Sequence, residues 1–203
     1  MFLSKLILNP TSREARRDLA NPYDLHRTLA RAFAPDEQTA PERFLWRLEP
    51  TANWQQPQLL VQSQTAGNWG PLRDLPYYLQ GEVQEKCVEP EQWLEPARTY
   101  RFRLQANPTV TRDGKRRGLC KEEEQLAWLA RQGERHGFIL AQAMVSSSGM
   151  QQGRKGDNRL SILAATFDGY LQVNDTNALL AGMQGGIGPA KSLGCGLLSL
   201  APV

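Results

Sequence analysis

Residues 100–145 carry the pattern that decides the fold, and they read YRFRLQANPTVTRDGKRRGLCKEEEQLAWLARQGERHGFILAQAMV. Apolar and polar side chains alternate over residues 100–106, which is typical of a half-buried strand. Residues 121–135 have the apolar spacing of a helix, and Gly137 is a residue type that favours helix termination. Residues 138–145 are apolar and predict another strand. The stretch therefore predicts a strand, a basic turn, a helix and a second strand in that order.

The rest of the C-terminal half extends this order. A polar stretch, SSSGMQQGRKGDN at residues 146–158, leads to a strand that begins at Arg159, and Arg154, Lys155 and Arg159 are predicted to lie at the tip of a hairpin. Residues 170–173 continue the sheet pattern, and Asp175 suits the N-cap of a short helix through Leu180. Residues 197–200 predict a closing strand. The resulting β-α-β-β-α-β order is that of a ferredoxin-like fold.

The N-terminal half begins with a strand at residues 2–8 and a short basic helix at residues 13–17. Thr11 and Glu14 have the spacing of a capping box for that helix. Asn21 and Pro22 then suit the N-cap and the first position of a second helix, which runs to about residue 33.

The remaining elements of this half complete the same order. They are predicted strands at 44–49, 59–64 and 82–88, and a predicted helix at 72–79. The sequence thus predicts an α+β protein of two tandem ferredoxin-like domains, at residues 1–95 and 96–203.

The charge is unevenly distributed, although the net charge is only +3. Residues 98–121 contain eight basic and one acidic side chain, and residues 1–35 contain six basic and three acidic. Residues 36–97 contain four basic and ten acidic side chains. Two basic segments of this kind indicate a surface that binds a polyanion, and the acidic segment is predicted to face away from it. Ordinary clustering of surface charge is the alternative.

Several classes of protein are disfavoured by composition. Three separated cysteines and two histidines give neither a disulfide framework nor the spacing of a zinc site, so no metal and no cofactor is expected. No apolar run approaches the roughly 20 residues of a membrane span, and the first residues lack the features of a signal peptide. A cytoplasmic location without membrane contact is therefore expected.

Tyr23 and His26 form the candidate catalytic pair. They lie three residues apart on the predicted second helix, so they share a face that is offset from Leu25 and Leu29. Imidazole titrates near neutral pH and can accept or donate a proton, and a tyrosine hydroxyl can donate to a phosphate. Whether His26 would act as general acid or general base is left open by the sequence. The alternative is a surface histidine on an amphipathic helix.

A glycine-rich run at residues 185–196, GGIGPAKSLGCG, could bring backbone and Lys191 close to a phosphate. Residues 185–192 nearly match the phosphate-loop pattern GxxxxGK[ST], with Ala190 replacing the second glycine. That loop should open a long helix, whereas the few residues that follow predict a strand. A glycine-rich turn before the last strand is the other interpretation.

Eight basic side chains besides Lys191 are candidate RNA contacts by charge and location. These candidates are Arg27, Arg31, Lys115, Arg116, Arg117, Arg154, Lys155 and Arg159.

Four segments together resemble one family. They are LSKLILNP at residues 3–10, RRDLANPYDLHRTLARAF at 16–33, RFRLQANP at 101–108 and GIGPAKSLGCGLLSLAPV at 186–203. These segments resemble CasE, the CRISPR-associated endoribonuclease family of type I-E systems. The most specific part is the pattern GhG-x5-GhG, which residues 186–196 match.

The resemblance implies metal-independent cleavage of precursor CRISPR RNA at the base of the repeat hairpin, by 2′-OH attack that leaves a cyclic phosphate. It implies catalytic roles for His26 and Tyr23, and RNA contacts at Gly186, Gly188, Gly194 and Gly196, with Lys191 between them. It also implies retention of the product and assembly with other Cascade subunits. Two alternatives remain: a hairpin-binding subunit without turnover, and a nucleotide-binding enzyme that uses Lys191.

Overall fold

The structure is a computed structural model that describes residues 1–34, 36, 38–50 and 53–203. Contacts divide the chain into two compact units. The N-terminal unit comprises residues 1–88 together with 152–160 and 192–194. The C-terminal unit comprises residues 89–151, 161–191 and 195–203. The predicted division at residue 95 stays a prediction.

The N-terminal unit contains a four-stranded antiparallel sheet in the order β2-β3-β1-β4. Its strands are β1 (Phe2–Ile7), β2 (Phe44–Leu48), β3 (Gln58–Ser63) and β4 (Gln84–Cys87). Its helices are α1 (Arg13–Ala20), α2 (Pro22–Ala30) and α3 (Gly70–Arg73). Because two helices precede β2 and one precedes β4, the order and the sheet are those of a ferredoxin-like fold.

Two predictions about these helices are wrong. The N-cap of α1 is Ser12 rather than Thr11, and the Ser12 hydroxyl donates to Glu14 instead of capping the backbone. The helix predicted at residues 72–79 is the single turn of α3. Pro76 explains the difference, because proline lacks an N–H and clashes with the preceding turn of a helix.

The core beneath α1 and α2 is mainly apolar and contains one fully buried carboxylate. Leu25 and Leu29 of α2 pack in a cluster with the sheet. Asp18 of α1 is fully buried; it accepts a hydrogen bond from the Tyr78 hydroxyl (2.7 Å) and pairs with Arg17 (2.7 Å). The partners compensate the cost of burying this carboxylate, and Asp18 thereby joins α1 to the segment after α3.

The C-terminal unit repeats the topology with a sheet in the order β10-β5-β9-β8. Its strands are β5 (Thr99–Ala106), β8 (Phe138–Lys155), β9 (Asn158–Val173) and β10 (Leu198–Pro202). Its helices are α4 (Glu122–Arg135), which ends before Gly137 as predicted, and α5 (Thr176–Gly185), which Asp175 caps. The predicted α+β class with two ferredoxin-like folds is confirmed.

The basic turn predicted after β5 is a short hairpin of its own. The basic turn consists of β6 (Thr109–Arg112) and β7 (Lys115–Gly118), joined by Asp113 and Gly114, both with positive φ. Such a two-residue turn matches the twist of the strands it connects. No helix in the described part of the chain is long and apolar enough to cross a membrane.

The hairpin predicted around Arg154, Lys155 and Arg159 is confirmed, but its strands are longer than the polar stretch at residues 146–158 indicated. That stretch forms the end of β8 and the first residue of β9. Gly156, with φ +58°, occupies the first position of the two-residue turn between them. Backbone pairing with a neighbouring strand stabilises such a segment whatever its side chains, so β8 continues past residue 145, where composition ended the predicted strand.

Candidate catalytic helix and RNA-binding surfaces

The helix that carries Tyr23 and His26 begins where the sequence indicates. Asn21 is extended (φ −136°, ψ 101°), and its side-chain oxygen accepts from the Tyr23 N–H. Pro22 occupies the first helical position, where a missing N–H leaves no donor unpaired. With Leu25 and Leu29 buried, His26 is half-buried and Tyr23 partly exposed. The helix therefore holds both side chains away from its buried stripe.

His26 is held by two aromatic residues of β2. The Trp46 Nε1–H donates to His26 Nδ1 at 3.3 Å, and the imidazole stacks on Phe44 with ring centroids 4.8 Å apart. Burial lowers the pKa of His26 below its ordinary value of 6.5. The imidazole is thus neutral at neutral pH, and because Nδ1 accepts from Trp46, its proton resides on Nε2.

Gly194 provides the space for the Trp46 ring. A Cβ atom at this position would lie 2.8 Å from the nearest ring carbon of Trp46, a distance that real side chains do not adopt. Gly194 also has φ +82°, which glycine adopts without strain. Gly194 therefore contributes to the packing behind His26, a role that the sequence did not indicate.

The β8–β9 hairpin tip, residues 152–160, brings cations to the same helix. Lys155 Nζ lies 5.7 Å from the centroid of the Tyr23 ring, within the range of a cation–π contact. The backbone of Arg154 is hydrogen-bonded to the Asn21 side chain. The side chains of Arg154, Lys155 and Arg159 are exposed. Three predicted contacts thus share the N-terminal unit with Tyr23 and His26.

Arg27 and Arg31 lie at the outer surface of this region. The Arg27 side chain is 71% exposed, and its guanidinium is 4.0 Å from Asp24, an ion pair that contributes little in water. Arg31 is exposed immediately after α2. Both cations are placed to meet a ligand without first breaking a strong internal interaction.

The C-terminal unit has a basic groove of about 630 Å³. Arg116 of β7, Arg131 and Arg135 of α4, and Lys191 contribute positive charge to its wall. No acidic residue is among its lining side chains in the described structure. A groove with this charge favours a polyanion. We name this feature, lined by Arg116, Arg131, Arg135 and Lys191, the α4 groove.

The α4 groove combines two predicted segments that are distant in sequence. Gly186 and Gly188 line it together with Arg116. Lys115 and Arg117 are exposed but do not line the groove, because alternate residues of a strand point to opposite faces.

Arg131, Arg135 and His136 were not predicted from the sequence as groove residues. All three line the α4 groove. The signal was present, since Trp128, Arg131 and Arg135 have the i, i+3, i+7 spacing of one helix face. Burial, together with the charges of Arg135 and Lys191, lowers the pKa of His136 below 6.5.

The four predicted loop glycines, Gly186, Gly188, Gly194 and Gly196, all have positive φ. Gly196 is buried and hydrogen-bonded through its backbone to Gln105 (2.7 Å) and Ile187 (2.9 Å). Gly188 alone among the four is partly exposed. Contact of these glycines with RNA stays a prediction.

The phosphate-loop interpretation of this run lacks its structural context. Residues Lys191–Leu193 form one turn of 3-10 helix, and β10 follows. A phosphate loop requires a long helix at this point. The near match to the motif is therefore a coincidence of spacing.

Comparison with known proteins agrees with this geometry. A family model described as "CRISPR associated protein" matches residues 1–202. The CRISPR-associated endoribonuclease Cse3 of Thermus thermophilus is 40% identical over the full length of both chains. The Cascade subunit CasE of Escherichia coli is 34% identical, also over the full length of both. The structure of Thermus thermophilus Cse3 bound to an RNA that represents a pre-cleavage complex superposes with a TM-score of 0.89 at 41% identity, covering 99% of this chain and 98% of that one.

The fold and these matches define the class of protein: a tandem ferredoxin-like protein of CRISPR systems. The chain belongs to the CRISPR-associated CasE/Cse3 family. The resemblance seen in the sequence is thereby confirmed. It extends over the whole chain, including the acidic segment at residues 36–97, where no family motif was evident.

Proposed function

We propose that this chain is an endoribonuclease that binds the CRISPR repeat hairpin and cleaves precursor CRISPR RNA at the base of the stem. The observation that carries the proposal is the setting of His26: a half-buried neutral imidazole, oriented by Trp46, beside Tyr23 and the basic hairpin tip. The Cse3 and CasE relatives, named as an endoribonuclease and as a Cascade subunit, support the same activity.

The proposed reaction begins with the ribose 2′-oxygen at the cleavage site. This oxygen attacks the adjacent phosphorus, its proton passes to water, and the bond from phosphorus to the 5′-oxygen breaks. The products are a 2′,3′-cyclic phosphate and a 5′-hydroxyl. The attacking group belongs to the RNA, so we propose that the protein needs no metal or cofactor for this step.

His26 serves as general acid in this proposal. The acid form is the imidazolium, in which Nδ1 has taken a proton from water in place of the hydrogen bond from Trp46. It delivers the Nε2 proton to the leaving 5′-oxygen and becomes a neutral imidazole. The lowered pKa makes the imidazolium, once formed, a stronger acid. Tyr23 donates from its hydroxyl to a non-bridging phosphate oxygen, and Lys155 or Arg27 stabilises the charge of the phosphorane.

The remaining basic surfaces bind RNA in this proposal. Arg154, Lys155 and Arg159 at the hairpin tip, and the α4 groove with its glycines, contact the phosphate backbone. Charge contacts of this kind allow the product to stay bound after cleavage. We further propose that the chain acts in the cytoplasm and retains its product. We also propose that it assembles with other Cascade subunits, since its relative CasE of Escherichia coli is named as a Cascade subunit.

The test of this proposal is cleavage of an RNA that carries the host's repeat hairpin, in buffer with EDTA. We expect one cut, a cyclic phosphate at the 3′ end of the upstream fragment, and no cut when the 2′-OH at that site is replaced by hydrogen. Tight binding of intact RNA without cleavage would instead support the subunit that only binds the hairpin. Cleavage of the 2′-deoxy RNA would exclude 2′-OH attack.

The acid role of His26 is tested with RNA that has sulfur in place of the leaving 5′-oxygen. A thiolate leaves without a proton, so this RNA should restore most of the rate lost in His26→Ala. If His26 is instead the base, the deficit of His26→Ala should be the same on both RNAs.

A further inference from the structure

Asn21 links the basic hairpin tip to the helix that carries Tyr23 and His26. Its side-chain oxygen accepts from the Arg154 N–H at 3.0 Å, and its side-chain nitrogen donates to the Arg154 carbonyl at 3.0 Å. The amide thus pairs with both backbone groups of one hairpin residue, as a neighbouring strand would. The link is to the backbone of Arg154, so it leaves the guanidinium available for another partner.

The same amide group also organises the start of α2. Its oxygen accepts from the Tyr23 N–H (3.3 Å), and its nitrogen donates to Asp24 (2.7 Å). A primary amide has two donors and an acceptor oxygen with two lone pairs, so all four hydrogen-bonding positions of Asn21 are used. Aspartate lacks the donors and would oppose Asp24, and serine can cap the helix but has no second group for the hairpin.

Two further contacts at the hairpin fit this arrangement. A Cβ atom at Gly153 would lie 3.0 Å from the Asn21 side-chain oxygen, closer than nearly all real Cβ contacts, so glycine permits the approach. Lys155, on the other side of Arg154, lies over the Tyr23 ring at 5.7 Å. Contacts on both sides of Arg154 therefore fix the position of the hairpin tip relative to the first turn of α2.

We propose that Asn21 is a positioning residue, which fixes the cations of the hairpin tip relative to His26 so that RNA held by the hairpin presents its scissile phosphate to the imidazole. This inference rests on the function proposed above and adds a residue to it. Small displacements of a reacting group are costly, since a misplacement of about 1 Å can reduce a rate about 100-fold.

The test uses Asn21→Ser, because serine caps a helix about as well as asparagine and removes the link to Arg154. We expect the single-turnover cleavage rate at saturating repeat-hairpin RNA to fall about 10- to 100-fold, with little change in RNA affinity. Asn174→Ser, the same substitution at an exposed position before α5, is the matched control and should cleave at the native rate.

A combined variant distinguishes a role of Asn21 in positioning the hairpin cations from a role in stabilising α2 alone. In a variant that lacks the hairpin cations (Arg154→Ala, Lys155→Ala and Arg159→Ala), Asn21→Ser should lower the rate no further. If Asn21 only stabilises α2, the two effects will multiply instead, and that outcome overturns the proposal. A native rate in Asn21→Ser overturns it as well.

Hydrogen exchange of the free protein provides a readout that does not depend on RNA cleavage. The Arg154 amide should be protected in the native chain and exchange faster in Asn21→Ser, with unchanged protection in the middle of α2. Equal protection of Arg154 in both proteins would exclude the link itself. If the native chain cleaves no RNA although the link is present, the proposed function fails, and the role of Asn21 in cleavage fails with it.

Discussion

The two units have the same topology, yet the helices that precede their second sheet strand, α2 and α4, have different roles. In the N-terminal unit α2 is short, and it places the half-buried His26 against Phe44 and Trp46 of β2, with Tyr23 on the same helix. In the C-terminal unit α4 is longer, and it directs cations into a groove. Each unit contains one of the two histidines of the chain, and burial lowers the pKa of both.

The surroundings of the two histidines explain why we assign chemistry to one and RNA binding to the other. His26 has a donor at Nδ1 and an aromatic surface below its ring. His136 follows the last residue of α4, next to Arg135, and packs so close to α5 that a Cβ atom at Gly182 would lie 2.9 Å from its Nδ1. A common fold thus supports different functions, because function resides in side chains that the fold positions.

The largest expected effect is the loss of cleavage in His26→Ala, and His136→Ala is its comparison. His26→Ala should lower the single-turnover cleavage rate about 10²–10⁴-fold, the usual contribution of a general acid, while RNA binding persists. His136→Ala should leave the rate at saturating RNA within a factor of about three, because a group in a binding groove affects mainly the affinity. Equal losses in the two variants would contradict this division of labour.

The next effect tests the packing behind His26. Gly194→Ala should destabilise the protein by about 1–3 kcal/mol through the crowding of Trp46, and should lower the cleavage rate about 10- to 100-fold by displacing His26. Gly149→Ala is the control, since a Cβ atom there meets nothing within 4 Å. Thermal unfolding and single-turnover rates measure the two effects. A destabilised Gly194→Ala protein with native cleavage would show that Trp46 does not orient His26.

A smaller effect is expected in the α4 groove. The double change Arg131→Ala and Arg135→Ala should weaken RNA binding about tenfold and make the slope of log affinity against log salt less steep by about 2. The control removes Arg73 and Arg98, which pair with Glu82 and Glu95 in the described structure. Binding titrations at several salt concentrations measure the slope. A lower rate at saturating RNA would mean that the C-terminal unit contributes to chemistry.

The smallest effect concerns the pKa of His26. Trp46→Phe removes the donor to Nδ1, so the pKa of His26 should rise toward its ordinary value, because a hydrogen bond to the neutral form disfavours protonation. NMR titration measures this change, and His136 serves as internal reference with an unchanged pKa. An unchanged pKa of His26 in this variant would show that burial alone lowers it.

The sign of the pH dependence follows from the same shift. Because the folded pKa of His26 lies below the unfolded value of about 6.5, the unfolded chain binds more protons in this range. The stability that His26 contributes is therefore present above pH 6.5 and is lost as the pH falls through the folded pKa. In Trp46→Phe the folded pKa of His26 should lie closer to the unfolded value, so the pH range over which this stability is lost should be narrower.

Local sequence signals predicted the parts of the molecule that depend on neighbouring residues. Asn21 and Pro22 begin α2, Asp175 begins α5, and Gly137 follows α4, each through a backbone preference that acts within one turn. The helix prediction failed at Pro76, which was overlooked. The hairpin that ends β8 was predicted, but its strand is ten residues longer than predicted, because pairing with another strand outweighed composition.

The sequence by itself determined the order of elements, the family and the candidate residues Tyr23 and His26, because helix spacing and short motifs are written locally in the chain. The tertiary structure decided what surrounds them: Trp46 at His26, Gly194 behind Trp46, and Arg154 at Asn21. The physical reason is that hydrogen bonds and close packing join residues up to 148 positions apart in the sequence, as Gly194 and Trp46 are. No local pattern encodes such a pair, because the folded backbone alone brings its members together.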